Sequence, residues 1–355
     1  MQVGIIGLPT AGKTTLFNIL TGAQAETHRY GAEKKEANVG VAKVPDSRLD
    51  FLSSLYNPKK TTPATIEFVD VAGLVPGEAR SGGFSPSLIG ALRQVDALIH
   101  VVRAFPDDEL LHPAGSINPQ RDTDELAMEL TFADLAVIEK RIERLRADVM
   151  KKKGAEQVTA QRELEVMEKC NKALENEIPL RDVELTEDEK RLLRGYTFLS
   201  SKPLLVVLNI GESQITEPPT VGTPSLALSA QVESDIAQMP EADRAEFLEA
   251  LSLTEPARDR LIRFAYESLG LQSFFTVGED EVRAWTITRG DTAVVAASKI
   301  HSDIARGFIR AEVVAFDTLK ELGSWNAARE KGALRLEGKE YVMQDGDCVN
   351  FRFSV

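Results

Sequence analysis

Eight residues near the start of the chain, Gly7-Leu8-Pro9-Thr10-Ala11-Gly12-Lys13-Thr14, fit the spacing G-x-x-x-x-G-K-[ST] in full. That spacing serves to grip a polyphosphate. The glycines allow backbone conformations and close approaches that a side chain would block. The main chain of Pro9, Thr10, Ala11 and Gly12, with Lys13, Thr14 and Thr15 opening a helix, would then surround an anion with N–H groups at a helix N-terminus. Lys13 would reach the β- and γ-phosphate oxygens, and the Thr14 hydroxyl would ligate Mg²⁺. A second motif, Asp70-Val71-Ala72-Gly73, closes the apolar run IEFVD. Asp70 is placed to hold Mg²⁺ through water, and the Gly73 N–H to meet the γ-phosphate during catalysis. In this order the two motifs favour a nucleoside triphosphatase over a small-metabolite kinase.

A third motif bears on which base is bound. Residues 204–212 read LLVVLNIGE. Switch GTPases carry Asn-Lys-x-Asp at such a strand end, where the Asp accepts two hydrogen bonds from guanine. Here the positions are Asn209, Ile210, Gly211 and Glu212. Ile cannot supply the stem of Lys, and Glu is a methylene too long for the guanine fork. Asn209, Ile210 and Glu212 are therefore expected to contact a purine, with ATP preferred over GTP.

Such a site needs strands that stop beside one another. VGII (3–6), TIEFVDV (65–71), ALIHVV (97–102) and PLLVVLNI (203–210) read as strands of an α/β parallel sheet. Between the last two lies a different text. Leu135, Ile138, Ile142, Leu145 and Val149, then Leu164, Met167, Asn171, Leu174 and Ile178, recur at 3-4 spacing around Lys151-Lys152-Lys153-Gly154. This predicts an inserted antiparallel coiled-coil hairpin with Asn171 on the seam and a basic tip built from Lys140, Arg141, Arg144, Arg146 and the lysine run. The last 80 or so residues turn strand-rich, with one helix at about 294–306, and read as a small α+β domain.

Composition bounds the rest. With 355 residues, 43% hydrophobic and 27% charged, the chain has ample core for several domains. No apolar run approaches a membrane span, and no leader precedes the first strand pattern. Two distant cysteines and four histidines argue for a cytoplasmic protein without disulfides or zinc. A net charge of −13 disfavours DNA and bare nucleic acid generally, while leaving room for a shaped partner such as a ribosome or structured RNA. A monomer is expected.

The chain resembles the YchF/Obg-like ATPase family over nearly its whole length. The resemblance is carried by GLPTAGKTTLFN (7–18), NVGVAKVPDSRL (38–49), PATIEFVDVAGLV (63–75), DALIHVVRAF (96–105), NPQRD (118–122) and NIGE (209–212). It continues through residues 274–313 and EGKEYVMQDGD (337–347). It implies a P-loop G-domain (1–125 and 199–272) interrupted by a helical insertion (126–198) and followed by a ubiquitin-like β-grasp TGS domain (273–355). It also implies ATP hydrolysis linked to ribosome association and to translation or stress control. Leu74 stands where many GTPases have a water-orienting Gln, and the family resemblance transfers that role to a His in the loop after VVRAF, here His112. The sequence departs from the family at Lys34-Lys35-Glu36-Ala37-Asn38, where a Thr of the first switch is expected; lysine is only a donor and cannot ligate Mg²⁺. It departs again at GGFSPS (82–87) and at Ala333. The alternative is a nucleotide-gated ribosome- or RNA-binding module with little turnover.

Overall fold

The computed structural model describes residues 1–23, 38–71, 85–251 and 253–354. By spatial contact the chain forms two units, one of 1–40 with 67–257, the other of 41–66 with 258–355.

The first unit is built on a sheet in the order β2-β4-β1-β5-β6-β7, the strands being β1 Gln2–Ile6, β2 Asn38–Lys43, β4 Thr65–Asp70, β5 Ala97–Arg103, β6 Leu204–Asn209 and β7 Ser225–Leu228. β1 lies parallel between β4 and β5, and β5, β6 and β7 continue in parallel. β5 is buried at every residue, as a central strand covered on both faces must be. The four strands read from the sequence are present. β2 and the four-residue β7 lacked a legible pattern.

Between the neighbouring strands β5 and β6 the chain makes a long excursion. Its first helix, Pro119–Lys151, starts where Asn118 accepts the Arg121 N–H and Pro119 fills a first-turn position that needs no donor. Gly154, with φ 64°, turns the chain into the helix Ala155–Glu175. Ile138, Ile142 and Leu145 pack with Leu164, Met167, Cys170 and Leu174. Cys170 is buried in this packing, and Asn171 beside it is half-buried, donating from Nδ2 to Glu175 on its own helix. At 3.6 residues per turn either neighbour could face inward from the 3-4 spacing, and the smaller apolar thiol is the cheaper one to bury. The expected basic tip is partly neutralised: Arg141 pairs with Glu163, Arg146 with Glu168 and Lys152 with Asp148. The first helix is pinned at its middle by buried Asp134, which accepts from Leu199 N (2.9 Å), Ser200 N (2.7 Å) and Ser200 Oγ (2.7 Å).

The second unit holds a six-stranded sheet in the order β11-β10-β12-β8-β9-β3: β3 Lys60–Thr62, β8 Leu271–Thr276, β9 Glu281–Thr288, β10 Phe308–Ala315, β11 Arg335–Glu337 and β12 Asp347–Phe353. β8 and β9 are antiparallel, while β12 runs parallel to β8 and antiparallel to β10. The helix Ala293–Ile300 packs its alanines on Phe274, Ile287 and Val313. A second short helix, Ser302–Arg306, follows a break at His301, whose Nδ1 caps it by accepting the Asp303 N–H, so the single helix expected there is two. Trp285 has one face stacked on core Phe274 and the Arg283 guanidinium over its ring at 3.8 Å.

This grouping cuts across a division by chain order, which assigns 41–66 and 258–272 to the nucleotide domain. β3 pairs with β9, Arg48 bridges Asp46 and Asp345, and Phe51 sits edge-on to Phe316. The β3–β9, Arg48–Asp345 and Phe51–Phe316 contacts join residues more than 200 positions apart and leave no trace in local pattern.

Candidate nucleotide site

The phosphate loop follows directly from β1. Gly7 has φ 147°, and a Cβ there would lie 2.3 Å from the Val101 carbonyl oxygen of β5. Only glycine allows that approach of two backbones. Thr10 adopts φ 63°, rare for a β-branched residue, and Gly12 at φ 94° caps the helix Lys13–Thr21. Of residues 9–12, Pro9 has no amide hydrogen to offer an anion. Thr10, Ala11 and Gly12 retain theirs at the positive end of that helix, with the Ala11 N–H donating to Leu8 O at 3.3 Å.

Lys13 is largely buried and folds back so that Nζ donates to Leu8 O at 2.8 Å. The Thr14 hydroxyl donates to Asp70 Oδ2 at 3.0 Å, joining the first helix to the end of β4. Asp70 itself is 2% exposed. Beneath them His100 of β5 is buried, and burial with the nearby Lys13 cation pushes its imidazole down to about 3. At neutral pH the ring is uncharged.

Asn209 ends β6, and both ends of its side-chain amide are engaged. Its Nδ2 donates to Ala11 O (3.0 Å) and its Oδ1 accepts the Ala230 N–H (3.0 Å). A side chain at Gly12 would place its Cβ 2.3 Å from that Nδ2. Asn209 thus clamps the phosphate loop to the start of the helix Ala230–Gln238. Ile210 turns inward with Val102, Ala104, Val206 and Leu208, against Ile215 and Val221. Glu212 is exposed in the turn Glu212–Gln214, whose shape is held by Gly211 N donating to Gln214 Oε1 at 2.8 Å.

His112 lies in the loop after β5. Its Nδ1 accepts the Ala114 N–H at 3.2 Å, which leaves the proton of the neutral ring on Nε2, 3.1 Å from Asp122 Oδ2. Burial, partly opposed by Asp122, holds its pKa below the ordinary value. Both ring nitrogens are engaged within this loop and helix start. Gly73 and Leu74, and the altered first switch at 34–37, lie outside the described residues.

A family model described as 50S ribosome-binding GTPase matches residues 2–140, and the YchF GTPase C-terminal model, described as a protein of unknown function, matches 271–354. The ribosome-binding ATPase YchF of Bacillus subtilis is 42% identical over 370 residues, covering all of both chains. That of Escherichia coli O157:H7 is 41% identical over 364 residues, covering 100% of this chain and 99% of the other. The chain belongs to the YchF family. The solved structure of the Schizosaccharomyces pombe YchF GTPase superposes with a TM-score of 0.87 at 29% identity, covering 99% of this chain and 97% of that one.

Against the YchF motifs, three site residues had escaped sequence reasoning. Arg103, inside VVRAF, is buried and bonded into the loop that follows it. Ser229 accepts the Val232 N–H and starts the helix whose first amide binds Asn209. The Ser-Ala pair just past a strand could have marked that turn; nothing local marks His100, the third.

Proposed function

We propose that this protein hydrolyses ATP, in preference to GTP, in the loop of residues 7–14, and does so in the cytoplasm in association with ribosomes. The observation that carries the reading is the convergence of Lys13, the Thr14–Asp70 pair and Asn209 on one phosphate loop at the ends of parallel strands. The relatives named ribosome-binding ATPases supply the partner.

The donor set suits Mg²⁺. A hydroxyl and one carboxylate, 3.0 Å apart, are the hard oxygen ligands that this ion accepts alongside substrate phosphates and water. When bound, the ion neutralises charge on the β- and γ-phosphate oxygens. In this reading Lys13 exchanges Leu8 O for those oxygens, and the Thr10, Ala11 and Gly12 amides meet the phosphates. Thr15 lies beside the site in the first helical turn. Asn209 has one Nδ2 hydrogen left, suited to N7, which adenine and guanine share. Base choice then falls to the Ile210–Glu212 turn, where Glu212 offers guanine no well-placed fork.

His112 is the group we assign to orienting water, after release from Ala114 and Asp122. Its engagement there favours, as a second reading, a nucleotide-gated module with slow turnover. For the remaining chain we keep the family's division into G-domain (1–125 and 199–272), helical hairpin (126–198) and TGS-like module (273–355), with 41–66 and 258–272 grouping with the last. The order β9-β8-β12-β10-β11, with β8 and β12 parallel beneath one helix, supports the ubiquitin-like assignment of the last, though 41–66 pack with it. We read the working state as a monomer with structured RNA of the ribosome as its contact.

Full-length protein with Mg²⁺ should turn over ATP many times, with Lys13→Ala cutting the rate by at least about 100-fold. No turnover above background, with or without ribosomes, would reject the enzyme reading.

A further inference from the structure

We propose that Arg103 is a positioning residue that ties the phosphate loop to the loop carrying His112, so that triphosphate occupancy is felt at His112. This rests on the triphosphatase reading and deepens it. Arg103 is the last residue of β5 and is 2% exposed. Its Nε donates to Phe105 O (3.2 Å), Nη1 to Leu110 O (3.0 Å) and Nη2 to Asp107 O (3.1 Å), while the guanidinium lies over the Phe105 ring at 4.7 Å. One side chain therefore gathers residues 105, 107 and 110 into a single turn, two residues short of His112.

The same guanidinium reaches the phosphate loop. Nη1 donates to Thr10 Oγ1 at 3.4 Å. Thr10 is the loop residue held at positive φ, a conformation that surrounding contacts must impose on a β-branched side chain. Its hydroxyl is the handle by which Arg103 does so. The link closes into a ring. Ala104 N and Phe105 N both donate to Asn209 O (2.8 and 3.1 Å), and Asn209 Nδ2 holds Ala11 O, next to Thr10. Phosphate loop, base strand and His112 loop are thus three segments of one circuit with Arg103 at their junction.

Charge gives the circuit its direction. Every hydrogen-bond acceptor of Arg103 is an uncharged oxygen, and it forms no ion pair among the described residues. Burial pulls its pKa below the ordinary value, with Asp107 only partly opposing. A buried cation without a bonded anion is costly, and a triphosphate beside Thr10 supplies the missing charge. Nucleotide binding then tightens the contacts that Arg103 already makes. Lysine could not replace it, because one ammonium cannot span three carbonyls and a hydroxyl as a planar fork of five donors does.

The test compares full-length wild type with Arg103→Lys, Arg103→Gln, Thr10→Ser and Thr10→Val. It measures kcat and KM for ATP, and hydrogen exchange of residues 104–112 with and without ATP. For Arg103→Lys, kcat should fall at least about tenfold while KM stays within about threefold, the mark of misplacement rather than lost binding. Exchange in 104–112 should rise and cease to respond to ATP. Thr10→Val should share the kcat defect, and Thr10→Ser, which keeps the hydroxyl, should lose less kcat than Thr10→Val. Should Arg103→Gln fail to fold, Arg103→Lys and Thr10→Val carry the decision. The inference is overturned if Arg103→Lys raises KM alone, or leaves kcat and ATP-dependent protection as in wild type. If wild type hydrolyses no ATP, the triphosphatase reading falls by itself, and the exchange comparison still decides the coupling.

Discussion

Replacing Asn209 by alanine tests the clamp on which the site depends. The substitution removes two hydrogen bonds to buried main chain, the one to Ala11 O and the one from Ala230 N. Each orphaned buried backbone group costs about 1–3 kcal/mol. The vacated volume is polar and close to the size of a water molecule, which would recover part of the loss. A net destabilisation of about 2–4 kcal/mol is therefore expected in urea unfolding of the full chain. The Ala11 carbonyl belongs to the phosphate loop, so ATP affinity measured by calorimetry should fall about 10- to 100-fold, at about 1.4 kcal/mol per decade. Asn209→Asp separates the two halves. It keeps an acceptor for Ala230 N but sets a carboxylate oxygen 3.0 Å from Ala11 O, so it should lose affinity at least as severely as alanine, with the buried unpaired charge adding its own cost to stability. An alanine variant within about 0.5 kcal/mol of wild type in stability and within about threefold in affinity refutes the clamp.

The buried His100 makes stability depend on pH. Its folded imidazole sits near pKa 3 against an ordinary 6.5, so below about pH 6.5 the unfolded chain binds a proton that the folded chain refuses. This contribution is complete above that pH and lost as pH falls, by up to about 2 kcal/mol between pH 6.5 and pH 5. Denaturation of His100→Leu over this range should show a slope shallower by about that amount; parallel slopes would exclude His100 as the source. Asp134→Ala strips three short bonds from the turn at Leu199 and Ser200 and should cost about 2–4 kcal/mol in thermal or urea unfolding. It should also expose residues 198–202 to hydrogen exchange, and unchanged protection there would contradict the pinning role.

The phosphate loop was legible because it is local: consecutive residues make the turn, the helix start and the ring of amides, so spacing alone carries the geometry. Strand ends at Asp70 and Asn209 were legible for a similar reason, since a polar residue closing an apolar run has few other places to go. The sequence by itself therefore determined a nucleotide-gripping loop, its two supporting strand ends and a helical excursion between β5 and β6. Tertiary structure decided what those residues hold. Asn209 meets Ala11 across 198 positions, Ile210 packs inward, Cys170 is buried between the two long helices, and Lys60–Thr62 joins the C-terminal sheet. Arg103 reaches Thr10 across 93 positions, and His112 is held by Ala114 and Asp122. Periodicity reports which face of an element is buried, whereas partners depend on how separate elements dock, and no local pattern encodes that docking.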